Sequence, residues 1–260
     1  MQKIITAMFL LLAANGRAAR LSPSAERAYE VYVANLEARL ARQHGKPETY
    51  LAMLSEAGDR NLRVEAVNGG TWQVPGALLH HWRASAFVPD AAPQDMLAVL
   101  RDFSHFSMRY APEVVSAHAL KENGETATLA VRFRERRVLT IVLDGEYKIE
   151  SRLSGKDRGY SISRSSHFWQ IDYPGTAHEQ RRPEGQDDGF LWHLNSYWSF
   201  AQVSGGLQME CEAVSLTRDV PLGLGWLITP IIEELPREAL ESTMRATKNA
   251  LTPNPGQEEN

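Results

Sequence analysis

The chain has 260 residues, 43% of them hydrophobic and 23% charged, which is enough apolar content for a folded domain with a sizeable core. Its 28 basic and 32 acidic residues leave a net charge of −4, a balance that does not suit a protein holding nucleic acid by its phosphates. The single cysteine, Cys211, excludes an intrachain disulfide and a thiolate zinc site; inside a strand pattern it acts as a small apolar residue.

Residues 1–18 read as a secretory signal. Lys3 supplies the positive region, Ile4 to Ala14 the apolar core, and Gly16-Arg17-Ala18 a small-x-small cleavage site. The apolar run is shorter than the ~20 residues of a membrane span, and an uncleaved N-terminal anchor is the alternative. Cleavage after Ala18 makes the mature chain more acidic by the loss of Lys3 and Arg17. A periplasmic or secreted location is expected.

Residues 19–70 are expected to form a helical extension. Ser22-Pro23 opens an amphipathic helix over 22–43, with Ala25, Tyr29, Tyr32, Val33, Leu36 and Leu40 at helical spacing. A second short helix fits Pro47 to Glu56, and Asn68-Gly69-Gly70 reads as a turn at the domain boundary. Neither helix makes a core alone, so both are expected to pack on the outside of the domain over 71–251.

In that domain Leu78 to Val88 is a strand, and Pro93 to Phe103 a helix followed by a shorter helical stretch to Tyr110. Glu113 to Lys121 and Thr126 to Arg134 are strands flanking the hairpin signal Asn123-Gly124. Val138 to Arg152 is a long strand, with a bulge or bend at Asp144-Gly145. Tyr160 to Asp172, Gly189 to Val203 and Leu207 to Arg218 complete the strand series. The C-terminal helix carries the stripe Leu240, Met244, Thr247 and Leu251, with a kink or restart expected near Pro236. Residues 252–260 form a polar tail expected to be disordered.

One strand, two helices, six antiparallel strands and a long C-terminal helix is the order of the helix-grip fold. With the segments Gly189-Phe-Leu-Trp-His-Leu-Asn-Ser-Tyr-Trp198 and Cys211-Glu-Ala-Val-Ser-Leu-Thr-Arg-Asp-Val-Pro221, the chain resembles the START-like superfamily, also called SRPBCC. The resemblance implies an α+β fold, a curved antiparallel sheet of about seven strands wrapped around the C-terminal helix. It also implies a cavity between sheet and helix that holds a hydrophobic small molecule or lipid, and it brings no catalytic motif and no cofactor.

The residues expected to line that cavity are Trp82, Phe133, Arg164, His167, Trp169, Trp192, Tyr197, Trp198, Met209 and Met244. Along Gly189–Phe200, alternation puts Phe190, Trp192, Leu194, Trp198 and Phe200 on one face, too apolar to meet water along its length. Ordinary packing against the C-terminal helix explains the same face. His167, Arg164 or Tyr197 would supply polar groups, in a binding protein for orientation, and in a cyclase- or aromatase-like enzyme to position a polarised carbonyl. An interaction module with a filled core is the third reading.

Adjacent His80 and His81 point to opposite faces of a strand, and no H-E-x-x-H spacing occurs, so no metal site is expected. Arg132, Arg134, Arg136 and Arg137 read as a solvated hairpin end, or as a contact for anionic headgroups. The apolar segment Leu222–Thr229, with Trp226, is either the buried first turn of the last helix or a mobile gate making transient membrane contact.

Overall fold

Ser22 and Pro23 start the first helix in the expected way. The Ser22 hydroxyl accepts a hydrogen bond from the backbone N–H of Ala25 at 3.1 Å, and the helix, α1, runs Pro23–His44. Ala25, Tyr29, Leu36 and Leu40 form its buried face. The computed structural model describes residues 20–52, 61–136, 140–183, 185–219 and 225–252, with the backbone alone described over 225–233. The signal segment, Arg137, Leu222 and all but the first residue of the tail lie outside the described residues. Of the helix expected over Pro47–Glu56, a single 3-10 turn at Pro47–Thr49 is described; residues 53–60 lie outside.

The strands are β1 (Arg63–Val74), β2 (Ala77–Pro89), β3 (Val114–Asn123), β4 (Thr126–Arg136), β5 (Thr140–Leu153), β6 (Arg158–Asp172), β7 (Gln180–Arg181), β8 (His193–Val203) and β9 (Gly206–Arg218). Between β2 and β3 lie α2 (Pro93–Arg101), a 3-10 turn at Phe103–His105 and the single turn α3 (Phe106–Arg109). The last helix, α4, spans Gly225–Leu251 and runs through Pro230 and Pro236 as one helix, so of the kink or restart expected near Pro236 the restart does not occur. Among the described residues no helix is long and apolar enough to cross a membrane.

All nine strands join one antiparallel sheet in the order β1-β2-β9-β8-β6-β5-β4-β3, with β7 paired to β6. The sheet exceeds the expected seven strands by β7 and by β1, which was expected to be partly helical extension and partly turn. Asn68, Gly69 and Gly70 all take positive φ, yet they sit inside β1, where pairing with β2 slips between Ala66 and Thr71. The expected boundary turn is therefore a bulge, and the strand continues on both sides of it.

Cross-strand partners share a face, so pairing assigns every strand residue to one side. The inner face includes the row Leu153, Gly159, Phe200, Met209 and Ala86, and the outer face the row Arg152, Tyr160, Ser199, Glu210 and Ser85. Inner residues of β2, β8 and β9 pack with Met96 and Leu100 of α2 and with Leu240, Met244 and Leu251 of α4. On the outer face, Leu79, Tyr197, Val214 and Leu216 pack against Ala25, Tyr29, Leu36 and Leu40 of α1. The sheet is thus gripped from both sides. Each of the large side chains of α1 buried there contributes on the order of 1.5–3 kcal/mol.

Candidate ligand-binding site

The centre of the inner face is built from small residues. One cross-strand row reads Ile149, Ser163, Ser196, Ala213 and Trp82. Ser163, Ser196 and Ala213 are partly exposed, although they sit in the middle of the sheet. The neighbouring row toward the closed end is sealed, with Ser161, Trp198, Cys211 and Ala84 between 0% and 5% exposed. Beyond it Phe200, Met209 and Met244 are fully buried. α4 packs on β1, β2 and β9 and so covers only one side of this face. A trough of short side chains therefore lies between the sealed core and the β4–β6 wall, where Phe133, Tyr147 and Phe168 pack in a second cluster with Phe103.

The trough continues past partly exposed Ser165 and Leu194 toward a crevice too tight for a water molecule, lined by Leu143, Phe168, Gln170, Asp187, Phe190 and Leu191. Gly145 makes room there: a Cβ at that position would stand 2.7 Å from the Phe168 ring.

Here the sheet also opens. β6 and β8 are paired only as far as Ser163 and Ser196; beyond that point β6 turns to β7 while β8 stays with β9. Side chains bridge the gap where the backbone ladder ends. Asn195 Oδ1 accepts from the Ser165 N–H at 3.1 Å, and Ser165 Oγ accepts from the Leu194 N–H at 3.0 Å. Two tyrosines flank the opening, Tyr147 from the inner face and Tyr29 of α1 from the outer, the latter stacked on His193 at 4.5 Å. Both hydroxyls are buried and have no hydrogen-bond partner. Burial pushes the pKa of each above the ordinary phenol value, so both remain protonated donors.

The strand, two helices, six antiparallel strands and long C-terminal helix stand in the expected order, with the two surplus strands at an edge and in a loop. This is the element order of the helix-grip fold. Similar solved structures include a STAR-related lipid transfer protein from Xanthomonas axonopodis, 18% identical over 70% of this chain and 98% of that one, with a TM-score of 0.44. The Zhui aromatase/cyclase of a Streptomyces species is 13% identical over 66% of this chain and 91% of its own, with a TM-score of 0.43. Human STARD10 is 11% identical over 74% of both chains, with a TM-score of 0.44. No protein-family model and no curated relative matches the chain.

Of the residues expected to line the cavity of this domain, five lie on the α4 side. Trp82 borders the trough, Phe133 belongs to the β4–β6 wall, and Trp198, Met209 and Met244 close the core. The other five lie elsewhere. Arg164 is on the outer face, holding both carboxylate oxygens of Glu37 on α1 at 2.7 and 3.0 Å. Tyr197 donates to the same Glu37 at 3.1 Å. His167 pairs across the sheet with Glu146 and Trp169 with Asp144, both outer positions; the Arg181 guanidinium covers the Trp169 ring at 4.3 Å. Trp192 precedes β8, packs into the α1 cluster and donates to Asp187 at 3.3 Å. The polarised-carbonyl arrangement of His167, Arg164 and Tyr197 inside the cavity is thereby removed.

Outer-face polar groups instead fasten α1 to the sheet. Glu212 accepts from Arg39 at 2.5 Å and from His81 at 2.8 Å, and Arg83 stands 3.3 Å from its other oxygen. Burial alone would raise the Glu212 pKa, but these donors and charges outweigh it and hold it down to about 2. With Glu212 ionised, the His81 Nε2 carries the proton it shares, and Nδ1 meets the Tyr32 hydroxyl at 2.7 Å. His80 points inward, as expected of adjacent strand residues, between the hydroxyls of Thr71 and Thr217, both at 2.9 Å. Among the described residues, no group of three His, Cys, Asp or Glu is placed to hold a metal ion. Arg132, in the expected basic cluster, is neutralised by Asp144 and Glu179, each at 2.7 Å.

Sequence reasoning missed Ser163, Ser196, Ala213, Tyr29 and Tyr147. Small residues alternating along β6 (Ser161, Ser163 and Ser165) were the available signal, since a buried strand normally fills such positions with large apolar side chains.

Proposed function

We propose that this protein binds a hydrophobic small molecule or lipid in the trough between the sheet and α4, and carries it in the periplasm or outside the cell. The observation that carries the reading is the partly exposed row Ser163, Ser196 and Ala213 in the centre of the sheet, walled by Trp82 on one side and the Ile149–Tyr147–Phe168 cluster on the other. Short side chains there leave apolar walls unfilled, and burying ligand surface against them contributes roughly 25 cal/mol per Å². The location rests on the charged, apolar and small-residue order of residues 1–18.

The test is native mass spectrometry of mature protein purified from its own compartment, followed by organic extraction. A stoichiometric lipid or other apolar molecule is expected, and Ser196→Trp, which fills the trough, is expected to lose it. Empty wild-type protein that also takes up no fluorescent hydrophobic probe overturns the proposal.

A further inference from the structure

Tyr147 and Tyr29 each bury a hydroxyl that nothing satisfies, at 6% and 4% residue exposure. Burying a polar group without a partner is unfavourable, so two of them beside one opening in the sheet call for an explanation. They flank the one stretch where β6 and β8 are held by side chains instead of a backbone ladder. They are also close enough for Tyr147 to contribute to the raised Tyr29 pKa, after burial and Tyr197.

The charges around this opening select what can fill it. Among the described residues, the inner-face positions of β2, β4, β5, β6, β8 and β9 carry no lysine or arginine. From the outer side, Glu26 and Glu37 both add to the raised Tyr29 pKa. Glu26 is held by His193 at 3.0 Å, and Arg164 is committed to Glu37. An anion entering here would meet no lysine or arginine on the inner face and two carboxylates from the outer side. An uncharged oxygen would meet two protonated donors.

Resting on the binding function proposed above, we propose that the ligand is an uncharged lipid bearing an oxygen acceptor, a ketone, ester or quinone carbonyl, which accepts hydrogen bonds from Tyr147 and Tyr29 while its hydrocarbon lies along the trough. Carboxylates and phosphate headgroups are excluded from this position. Desolvating an anion beside Glu26 and Glu37 is unfavourable, whereas a carbonyl gains two hydrogen bonds and relieves two orphan donors.

The test compares three chain-matched probes, a long-chain methyl ketone, its parent alkane and the fatty acid of equal length, titrated calorimetrically into the full mature protein. The ketone is expected to bind about tenfold more tightly than either other probe, as one to two net hydrogen bonds allow. Tyr147→Phe and Tyr29→Phe are each expected to bring ketone affinity down toward that of the alkane, without lowering the melting temperature of the ligand-free protein. Removing an unsatisfied hydroxyl takes away a cost, so a fall in melting temperature with ketone affinity unchanged would mark the hydroxyls as structural and overturn the inference. Equal binding of all three probes overturns it too, while leaving the binding function standing. Failure to bind any probe removes both.

Discussion

Arg39 of α1 reaches Glu212 of β9 across 173 positions of sequence, with Nη2 at 2.5 Å from Oε2. Glu212 is 2% exposed and also meets His81 and Arg83, so one buried carboxylate gathers three cationic or donor side chains beneath α1. Replacing it with an amide keeps the shape and removes the charge. Glu212→Gln is expected to destabilise the fold by about 1.5–3 kcal/mol, because charge-assisted hydrogen bonds from Arg39 and His81 are weakened while Arg83 keeps its pairing with Glu65. The urea midpoint checks this; a shift equivalent to under ~1 kcal/mol would mean the network is solvated after all.

Acid weakens this protein before its carboxylates begin to titrate. Burial pushes the His80 imidazole down to about 4, and burial with help from Arg39 does the same for His44, from an ordinary value of 6.5. As pH falls from 6.5 to 4 the unfolded chain takes up protons that the folded one refuses, so stability drops through this window and is untouched above it. For fully buried His80 the loss approaches about 3 kcal/mol. Glu212 works in the adjoining range: with its pKa depressed to about 2, its contribution is complete above 4.5 and fades as pH falls toward 2. Denaturation midpoints taken from pH 7 to 4 should fall steadily, and a flat profile would contradict neutral, buried imidazoles.

Gly159 faces Phe200 with no room for a side chain. A Cβ there would lie 2.5 Å from the Phe200 ring and 2.8 Å from the Arg152 carbonyl oxygen. Gly159→Ala is expected to cost about 1–3 kcal/mol through overpacking of the sealed end of the inner face. Thermal unfolding reads this directly, and an unchanged melting temperature would show that the core beyond Trp198 yields more easily than its burial implies.

The Cys211 thiol is 1% exposed, and burial, reinforced by the nearby Glu212 charge, raises its pKa. It is expected to resist thiol reagents in the native protein at neutral pH and to react fully in denaturant. Rapid native labelling would show that β8 and β9 open far more often than their pairing suggests.

The order of strands and helices was legible because turn residues and alternation mark it locally, as at Asn123-Gly124 and along Thr126 to Arg134. Face assignment was not. Pairing of β5 with β6 slips between Glu146 and Tyr147, so an extra residue on β6 puts His167 and Trp169 on the outer side and Phe168 on the inner. One residue of slip reverses every side chain beyond it, and no single residue of Ser165-Ser166-His167 announces it. Tyr197 and Arg164 were misplaced for another reason. Alternation put Tyr197 opposite Trp198, but only the docking of α1 supplies Glu37, the partner that claims both. The same gap hid β1, whose three positive-φ residues look like a terminating turn until β2 is seen pairing on both sides of them.

Pairing of β2 with β9 brings Ala77–Pro89 against Gly206–Arg218 in the middle of the sheet. The strand made second therefore finds one of its partners only when the strand made last is available. A nascent chain stopped after β8 holds α1, β1 and β2 as one fragment and β3 to β8 as another, with an open edge on each and no Glu212 to meet Arg39. Closing loops of this length is slow, so folding is expected to be post-translational, rate-limited by arrival of β9, and dependent until then on whatever shields two bare strand edges from each other's neighbours. Completion is thus a single late event that joins the two halves, rather than growth outward from an early nucleus.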